Sequence, residues 1–119
     1  MRSNGWIAVD LDGTIAKYGE WQGETHIGEP IPLMLERVKN WISQGKTVKI
    51  MTARVNPLGR DKEDIKAIKR AIAEWTRKHV GIELESTCSK DYNMIELWDD
   101  RAVQVTPNTG IRIGSLERN

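Results

Sequence analysis

Two aspartates, two positions apart, follow a short apolar run near the amino terminus. The apolar residues 6–9 precede Asp10, and Leu11 separates Asp10 from Asp12. Because side chains alternate between the two faces of an extended chain, we expect both carboxylates to point to the same side. A carboxylate can act as a covalent nucleophile, and a second one can act as a general acid and then as a base. The spacing predicts two carboxylates that share one reaction centre.

Two structural interpretations of this stretch are weaker. An isolated Asp12-Gly13 pair is typical of a turn after a strand. In a calcium-binding loop the glycine follows three alternating acids, whereas Gly13 comes directly after the second acid. Residues of suitable chemistry also recur later in the chain, with Thr52 after a second apolar run and Lys90 before a third. Their presence favours a reactive site over a turn.

A second pair of aspartates, Asp99 and Asp100, follows residues 95–98, of which Ile95, Leu97 and Trp98 are apolar. Like charges a few ångströms apart repel, so four carboxylates at the ends of two strands need a cation if all are to stay ionised. Oxygen ligands of this kind suit Mg²⁺, which binds through one or two carboxylates and a substrate phosphate. We therefore expect a Mg²⁺ site among Asp10, Asp12, Asp99 and Asp100.

The elements that must position these residues alternate between strands and helices. An apolar run predicts a strand at residues 6–9, and apolar residues that alternate with polar ones predict strands at residues 46–51, 82–86, 95–98 and 111–113. Helical spacing and end signals predict one helix from Pro30 or Pro32 to Gly45. A second predicted helix runs from Asp61 or Asp64 to Gly81. Its apolar stripe consists of Ile65, Ile68, Ile72 and Trp75. Residues 13–29 are glycine-rich and aperiodic and predict a long loop or a small hairpin beside the first aspartates. This order predicts an α/β fold with a parallel sheet, in which ligands bind at the carboxyl ends of the strands.

The composition is that of one soluble globular domain, residues 1–119. Hydrophobic residues make up 39% and charged residues 29% of the chain, and the formal net charge is +1. These values argue against a disordered chain and against a partner selected by overall charge. Cys88 has no second cysteine to pair with, and His26 and His79 are too few for a zinc site. With neither a signal peptide nor an apolar run of about 18 residues, we expect a cytoplasmic protein without a membrane partner.

The segments that contain these residues resemble the four motifs of the haloacid dehalogenase-like (HAD) phosphohydrolases. They are residues 6–14, 49–54, 90 and 95–101, and they follow the order of the family's motifs. The resemblance implies a Rossmann-like three-layer sandwich around a central parallel sheet. It also implies a Mg²⁺-dependent phosphomonoesterase that forms an aspartyl-phosphate. Neither residues 13–30 nor residues 54–81 are long enough for the cap domain that many members carry, so we expect no cap and an open site.

The resemblance also implies a role for each residue of the first three motifs. Asp10 is expected to be the nucleophile, and Asp12 the general acid and base, with its backbone carbonyl facing the metal. The hydroxyl of Thr52 and a backbone N–H of the following residues, Ala53 and Arg54, are expected to bind the phosphoryl oxygens. Lys90 is expected to supply positive charge to the substrate phosphate.

For the last motif the resemblance implies Asp100 as the direct metal ligand. Asp99 is expected to orient Lys90 or Arg54, or to contact a metal-bound water. The assignment of the two aspartates stays open at this point.

A more particular resemblance, through residues 52–54 and 98–105, is to the 3′-phosphatase domains of phage polynucleotide kinases. It implies a phosphorylated substrate, with a nucleic-acid 3′ end as one candidate. The expected rim of the site carries Arg54, Arg60 and Lys62, with Trp21 or Tyr18 in the loop. Cations and an aromatic ring suit phosphates and a stacked base, but the same residues suit a solvated rim and a loop packed by its own ring. A binding or regulatory module without turnover is a further alternative, against which the presence of Asp12 argues.

The second predicted helix carries a basic face. Its cations are Lys62, Lys66, Lys69, Arg70 and Arg77. Such a face is usually solvated, and a nucleic-acid surface is the alternative. The sequence leaves both interpretations open.

Overall fold

The computed structural model describes residues 5–114; residues 1–4 and 115–119, which the sequence assigned to the same domain, lie outside the described part. Within it, strands and helices alternate in the predicted manner. They are β1 (Trp6–Asp10), α1 (Pro32–Ser43), β2 (Thr47–Met51), α2 (Lys62–His79), β3 (Ser86–Thr87) and β4 (Met94–Trp98), with a short 3-10 turn at Ala53–Val55. The strands pair in parallel in the order β3-β2-β1-β4. The predicted α/β fold with a parallel sheet is confirmed.

β1 lies in the middle of the sheet, which explains its apolar composition. It pairs with β2 on one side and with β4 on the other, and Trp6, Ile7, Ala8 and Val9 are all buried. Side chains that alternate between the two faces of the strand are all buried, which agrees with its continuous apolar run. The strand ends at Asp10, which therefore reaches the carboxyl edge of the sheet.

Both helices pack on the same face of the sheet. In the register of β1 and β2, Ile7 lies opposite Val48 and Val9 lies opposite Ile50. The core cluster that contains these four residues also contains Met34 and Val38 of α1 and Ile68 and Ile72 of α2. The crossovers from β1 to β2 and from β2 to β3 move the same way across the sheet. Because both are right-handed, they place their helices on one face. The connection from β3 to β4 contains no helix that could cover the other face. Residues 5–114 therefore form two layers and do not supply the third layer of the expected sandwich.

α1 forms where its end signals placed it. Pro32 is its first residue, where a fixed φ is favourable and a missing N–H breaks no helical hydrogen bond. Met34 and Val38 are buried, and the ring centroid of Trp41 lies 5.2 Å from that of Trp98 on β4. Gly45, with a φ of +82°, follows the helix in the left-handed region that favours glycine.

α2 begins at a reciprocal cap. Asp61 accepts a hydrogen bond from the N–H of Asp64 at 2.8 Å, and Asp64 accepts one from the N–H of Asp61 at 2.9 Å. Both predicted capping residues are therefore used, and each satisfies a backbone donor that the helix leaves unpaired. Ile68 and Ile72 of the predicted stripe are buried in the core. No helix within residues 5–114 combines the length and the apolar character needed to cross a bilayer.

Two predicted strands differ from the structure. The strand expected at residues 82–86 is reduced to Ser86–Thr87, because the pairing with β2 starts only at Ser86. The strand expected at residues 111–113 does not join the sheet; Val105 and Arg112 form an isolated antiparallel bridge instead. Apolar alternation predicts an extended chain but does not identify its partner, which depends on packing against distant neighbours.

Candidate active site

Three carboxylates meet at the carboxyl edge of the sheet. Asp10 ends β1, and Asp99 and Asp100 directly follow β4, the neighbouring strand. One oxygen atom from each carboxylate lies within 4.8 Å of the others. Asp10 and Asp99 are half-buried, whereas Asp100 is exposed. The structure thus brings together the first predicted aspartate and the second aspartate pair.

The turn after β1 closes around these carboxylates. The hydroxyl of Thr14 lies 3.2 Å from Oδ2 of Asp10 and 3.5 Å from Oδ1 of Asp100, so it can donate to either. A Cβ atom on Gly13 would lie only 2.5 Å from Oδ2 of Asp100, and Gly13 has a φ of +89°. Glycine at this position permits both the left-handed backbone and the close approach of the Asp100 carboxylate.

Asp10 is the carboxylate whose ionisation is most affected by its surroundings. Burial, the charge of Asp99 and a hydrogen bond with Asp100 raise the pKa of Asp10 from 3.8 to about 7, while the hydrogen bond from Thr14 opposes the rise. Desolvation and neighbouring negative charge both disfavour the ionised carboxylate. A cation among the three carboxylates would offset both effects, so the electrostatics of the cluster fit a metal ion.

The carboxylate of Asp12 is not part of this cluster, although Asp12 and Asp10 line the same groove. β1 ends at Asp10, and the buried Leu11 begins a tight turn in which the N–H of Ala16 donates to the carbonyl of Leu11 at 2.9 Å. Because the chain is no longer extended there, the alternation of side chains stops before Asp12. The Asp12 carboxylate binds Arg54 instead, accepting from Nε at Oδ2 and from Nη2 at Oδ1, both at 2.8 Å.

Arg54 connects Asp12 to the loop that follows β1. The residue is only 5% exposed, and its Nη1 donates to the carbonyls of Glu24 at 2.8 Å and of His26 at 2.7 Å. Its guanidinium carbon lies 5.0 Å from the ring centroid of Trp21. A guanidinium has five N–H donors, and the bonds to Asp12 and to the two carbonyls use four of them. One donor is left for the substrate contact that the sequence led us to expect.

Further side chains attach the loop of residues 13–30 to the domain. Arg60 forms an ion pair with Glu24, and the indole N–H of Trp75 donates to the carbonyl of Gly28 at 3.0 Å. The loop therefore contacts Arg60, which lies just before α2, and the side chain of Trp75 within α2. Tyr18 and Trp21 of this loop line a groove together with Asp10.

Two grooves flank Asp10. One, called here the Trp21 groove, has a volume of about 410 Å³, and Trp21 and Tyr18 are among its lining residues. The other, the Cys88 groove, has a volume of about 470 Å³, and Cys88 is among its lining residues. The residues that line both are Asp10, Thr52, Ala53 and Arg101. A group bound at Asp10 would therefore have open space on each side.

Thr52 lies where the two grooves join, as its predicted phosphate contact requires. The residue is 4% exposed, and its hydroxyl oxygen accepts from the N–H of Arg54 at 3.1 Å. This bond occupies the oxygen as an acceptor and leaves the O–H as a donor. Thr52 and the adjacent Ala53 are therefore close enough to Asp10 to line the same space.

Lys90 is the predicted site residue that the structure does not bring to the cluster. It lies in the connection between β3 and β4, is exposed, and forms no ion pair with any carboxylate of residues 5–114. Asp99 pairs with neither Lys90 nor Arg54; it accepts from the backbone N–H of Arg101 at 2.7 Å. Of the roles left open for Asp99, its place in the carboxylate cluster agrees with contact to a metal ion or its water.

Sequence reasoning gave no role to Thr14 or to Arg101. Thr14 bridges two carboxylates from a turn, and Arg101 lines both grooves directly after the second aspartate pair. The signal for Arg101 was its position next to two acids, since a cation there balances their charge. Thr14 had no comparable signal, because a threonine after Asp-Gly is ordinary in turns.

The ligand atoms of the cluster fit Mg²⁺. Asp10, Asp99 and Asp100 offer only carboxylate oxygens, and hard oxygen ligands are those that Mg²⁺ prefers. These three residues would hold the ion, with Thr52 and the Arg54-bound Asp12 on the groove side. Such a set of groups can bind a phosphoryl group, attack it and transfer a proton.

No protein-family model, curated protein or solved structure matches this chain.

Proposed function

We propose that the chain is a HAD-like, Mg²⁺-dependent phosphomonoesterase that acts through an aspartyl-phosphate. The observation that carries the proposal is the cluster of Asp10, Asp99 and Asp100, whose oxygens approach within 4.8 Å where two grooves meet. Three carboxylates at this distance repel one another, so the cluster is costly unless it binds a cation. The order of the motif-like segments along the chain supports the same function.

In the proposed reaction the carboxylate of Asp10 attacks phosphorus, and the bond between phosphorus and the ester oxygen breaks. Asp12 donates a proton to the leaving oxygen and later accepts one from the water that attacks the aspartyl-phosphate. Inorganic phosphate then leaves, and both carboxyl groups return to their starting forms. Arg54 holds the Asp12 carboxyl by two hydrogen bonds, and the Thr52 hydroxyl can donate to a phosphoryl oxygen.

Hydrolysis of p-nitrophenyl phosphate tests this function. Bound Mg²⁺ would supply positive charge that lets an anionic phosphate approach an anionic nucleophile. We therefore expect turnover with Mg²⁺, no turnover in EDTA, and none from Asp10→Asn. No turnover of this ester, of sugar phosphates, of nucleotides or of 3′-phosphorylated oligonucleotides would favour the alternative, a binding or regulatory module.

The covalent step can be tested separately with Asp12→Asn. Nitrophenolate leaves without protonation, so this variant should still form the aspartyl-phosphate but should fail to activate water for its hydrolysis. Intact-mass measurement after an acid quench should detect one added phosphoryl group on Asp12→Asn and none on Asp10→Asn. The mechanism would be contradicted if Asp12→Asn carried no phosphoryl group and still released nitrophenolate as fast as the chain without substitutions.

A phosphatase acting on nucleic-acid 3′ ends is the second candidate. It is favoured by the grooves on both sides of Asp10, which would let a chain extend away from a terminal phosphate. Trp21, at the wall of one groove, is 53% exposed although it contacts Arg54, so part of its ring can stack on a base for about 1–3 kcal/mol. The test compares kcat/KM for a 3′-phosphorylated oligonucleotide and for glucose 6-phosphate. Equal values at low and at physiological salt would remove this candidate.

A further inference from the structure

The exposed surface of α2 separates its charges by sign. On a helix of 3.6 residues per turn, five of its cations fall within an arc of about 100°. They are Lys62, Lys66, Lys69, Arg70 and Arg77, called here the basic stripe, and all five are exposed. The exposed acids of the same helix, Glu63, Asp64 and Glu74, fall outside this arc, with Glu63 and Glu74 next to its edge. The stripe extends from the first residue of α2 to its last turn.

Few carboxylates of the described residues pair with the stripe. Among residues 5–114, Arg77 is its one member with an ion pair, to Glu83 at 4.0 Å. Both side chains of that pair are more than half exposed, at 63% and 61%, and such a pair contributes little. The other four cations pair with none of the described carboxylates, so their charges face solvent and any anion that binds there.

The stability of α2 does not explain the stripe. Lys62 and Lys66 are four residues apart, as are Lys66 and Arg70, and like charges at this spacing weaken a helix. Lys62 also places a positive charge at the positive end of the helix dipole. Opposite charges at helical spacing, Glu63 with Lys66 and Arg70 with Glu74, offset part of this repulsion. Five cations still outnumber these two acids, so an external anion would stabilise the stripe further.

The chemistry of α2 suits a polyanion better than a membrane. Helices that lie on membranes insert large apolar side chains beside their cations. None of the exposed large hydrophobic side chains of the described residues belongs to α2, because Ile68 and Ile72 are buried in the core. A row of cations without apolar neighbours suits a linear polymer of regularly spaced negative charge, such as a phosphodiester backbone.

The stripe begins next to the candidate active site. Its first member, Lys62, lies two residues after Arg60, which lines the Trp21 groove. α2 leads away from the carboxyl edge of the sheet, so the stripe runs for about 22 Å from Lys62 to Arg77 at 1.5 Å per residue. A chain whose end lies at Asp10 would therefore meet cations where it leaves the groove along α2.

We propose that the basic stripe of α2 is a second contact surface for the backbone of a nucleic-acid substrate. The inference rests on the proposed function, because it takes the phosphorylated end of that nucleic acid to lie at Asp10. The stripe contributes affinity for the chain and takes no part in the chemistry at phosphorus. Lysine and arginine contacts to phosphates position a nucleic acid without selecting its sequence, so binding is expected to be independent of base sequence.

Binding is measured by fluorescence anisotropy of a labelled, single-stranded, 3′-phosphorylated oligonucleotide, with Asp10→Asn as the background so that the substrate stays intact. The test variant adds Lys66→Gln and Arg70→Gln. The matched control adds Lys39→Gln and Lys78→Gln, which remove the same charge from exposed positions outside the stripe. We expect the test pair to weaken binding roughly tenfold at low salt and to lower the slope of log K against log salt by about 1.4, or about 0.7 for each cation removed. The control pair should leave the slope unchanged.

Three results would overturn the proposal. The first is equal weakening by the two pairs, since only net charge would then matter. The second is no binding of the oligonucleotide at low salt. The third is equally tight binding of poly-glutamate of the same length, which would assign the stripe to acidic polymers in general.

Two further measurements keep these outcomes interpretable. Circular dichroism checks that each variant folds. If Lys66→Gln with Arg70→Gln does not fold, Lys62→Gln with Lys69→Gln replaces it, because this pair removes the same charge from the stripe. Turnover of p-nitrophenyl phosphate by the unmodified chain judges the phosphatase proposal separately. Oligonucleotide binding through the stripe without any turnover would reject the enzyme and retain the binding surface.

Discussion

The guanidinium of Arg54 holds the carboxylate of Asp12 by two parallel hydrogen bonds, each 2.8 Å long. Bidentate pairs of this kind are strong and directional. The same guanidinium donates to the carbonyls of Glu24 and His26 in the loop after β1. One buried side chain therefore determines both the orientation of the proposed acid–base group and the position of one wall of the site.

Arg54→Ala should lower both stability and turnover. Removing the guanidinium leaves Asp12 and the three loop carbonyls of Gly23, Glu24 and His26 without this donor, which should cost roughly 3 kcal/mol of the free energy of unfolding. Because Asp12 would lose its orientation, kcat should fall more than KM rises. Urea unfolding and steady-state kinetics with p-nitrophenyl phosphate measure the two effects.

Two comparisons make the Arg54 prediction specific. Arg54→Lys should not restore activity, since an ammonium group cannot make two parallel hydrogen bonds to a carboxylate. Added guanidinium ion at low concentration should restore part of the kcat of Arg54→Ala. If Arg54→Ala behaved like Lys39→Ala, a loss of charge at an exposed position, the positioning role would be wrong.

The metal-free chain should lose stability as the pH rises from about 4 to about 7. Asp10 has a pKa raised from 3.8 to about 7 in the folded state. Between these values the folded chain binds more protons than the unfolded chain, so the contribution of Asp10 is full below pH 3.8 and is lost as the pH rises through 7. Melting temperatures in EDTA across this range measure the trend, and Asp10→Asn should flatten it.

Asp91→Asn is the control for this pH dependence. Hydrogen bonds from the Trp6 indole and from the backbone of Asn93 lower the pKa of Asp91, so its contribution to stability is lost only as the pH falls below its ordinary range. The variant should therefore keep the trend of the unmodified chain between pH 4 and 7. An Asp10→Asn protein with the same trend as Asp91→Asn would show that Asp10 is not the titrating group.

Mg²⁺ should raise the melting temperature, because an ion that binds only the folded chain stabilises it. At a concentration of 100 times Kd the gain is about 2.7 kcal/mol. Asp99→Asn and Asp100→Asn should each reduce the gain, and the larger loss identifies the stronger ligand, which the sequence left open. Glu74→Gln, an exposed acid on α2, should retain the full gain. An undiminished gain in both aspartate variants would exclude the cluster as the metal site.

Gly13→Ala should weaken Mg²⁺ binding roughly tenfold, as loss of support around a metal ligand typically does. The added Cβ atom would lie 2.5 Å from Oδ2 of Asp100 and would displace that carboxylate. Gly45→Ala is a matched control, because Gly45 also has a positive φ, +82°, but has open space around its Cβ position. Both variants should lose about 1 kcal/mol of stability from the left-handed backbone, so equal Mg²⁺ affinity in the two would contradict the prediction.

The elements that the sequence predicted well are those with local signals. The apolar run of β1, the proline at the start of α1 and the capping pair Asp61 and Asp64 of α2 each lie within or next to the element that they define. β3 and residues 111–113 were predicted less well, because a short strand exists only through its partner. The partner of β3 is β2, and the segment at Arg112 meets Val105 rather than the sheet.

From the sequence, Asp10 and the pair Asp99 and Asp100 could be placed at one edge of the sheet, because each directly follows a strand and the carboxyl ends of parallel strands share an edge. The order of the strands, which places β4 beside β1 and brings these carboxylates together, became known only from the fold. The same is true of the side-chain positions of Asp12 and Lys90. Asp12 sits in a turn and finds its partner, Arg54, 42 residues away, while Lys90 lies exposed in the connection before β4. The reason is physical: strand geometry sets the direction of a side chain within a strand, whereas beyond its end the direction depends on contacts with distant residues.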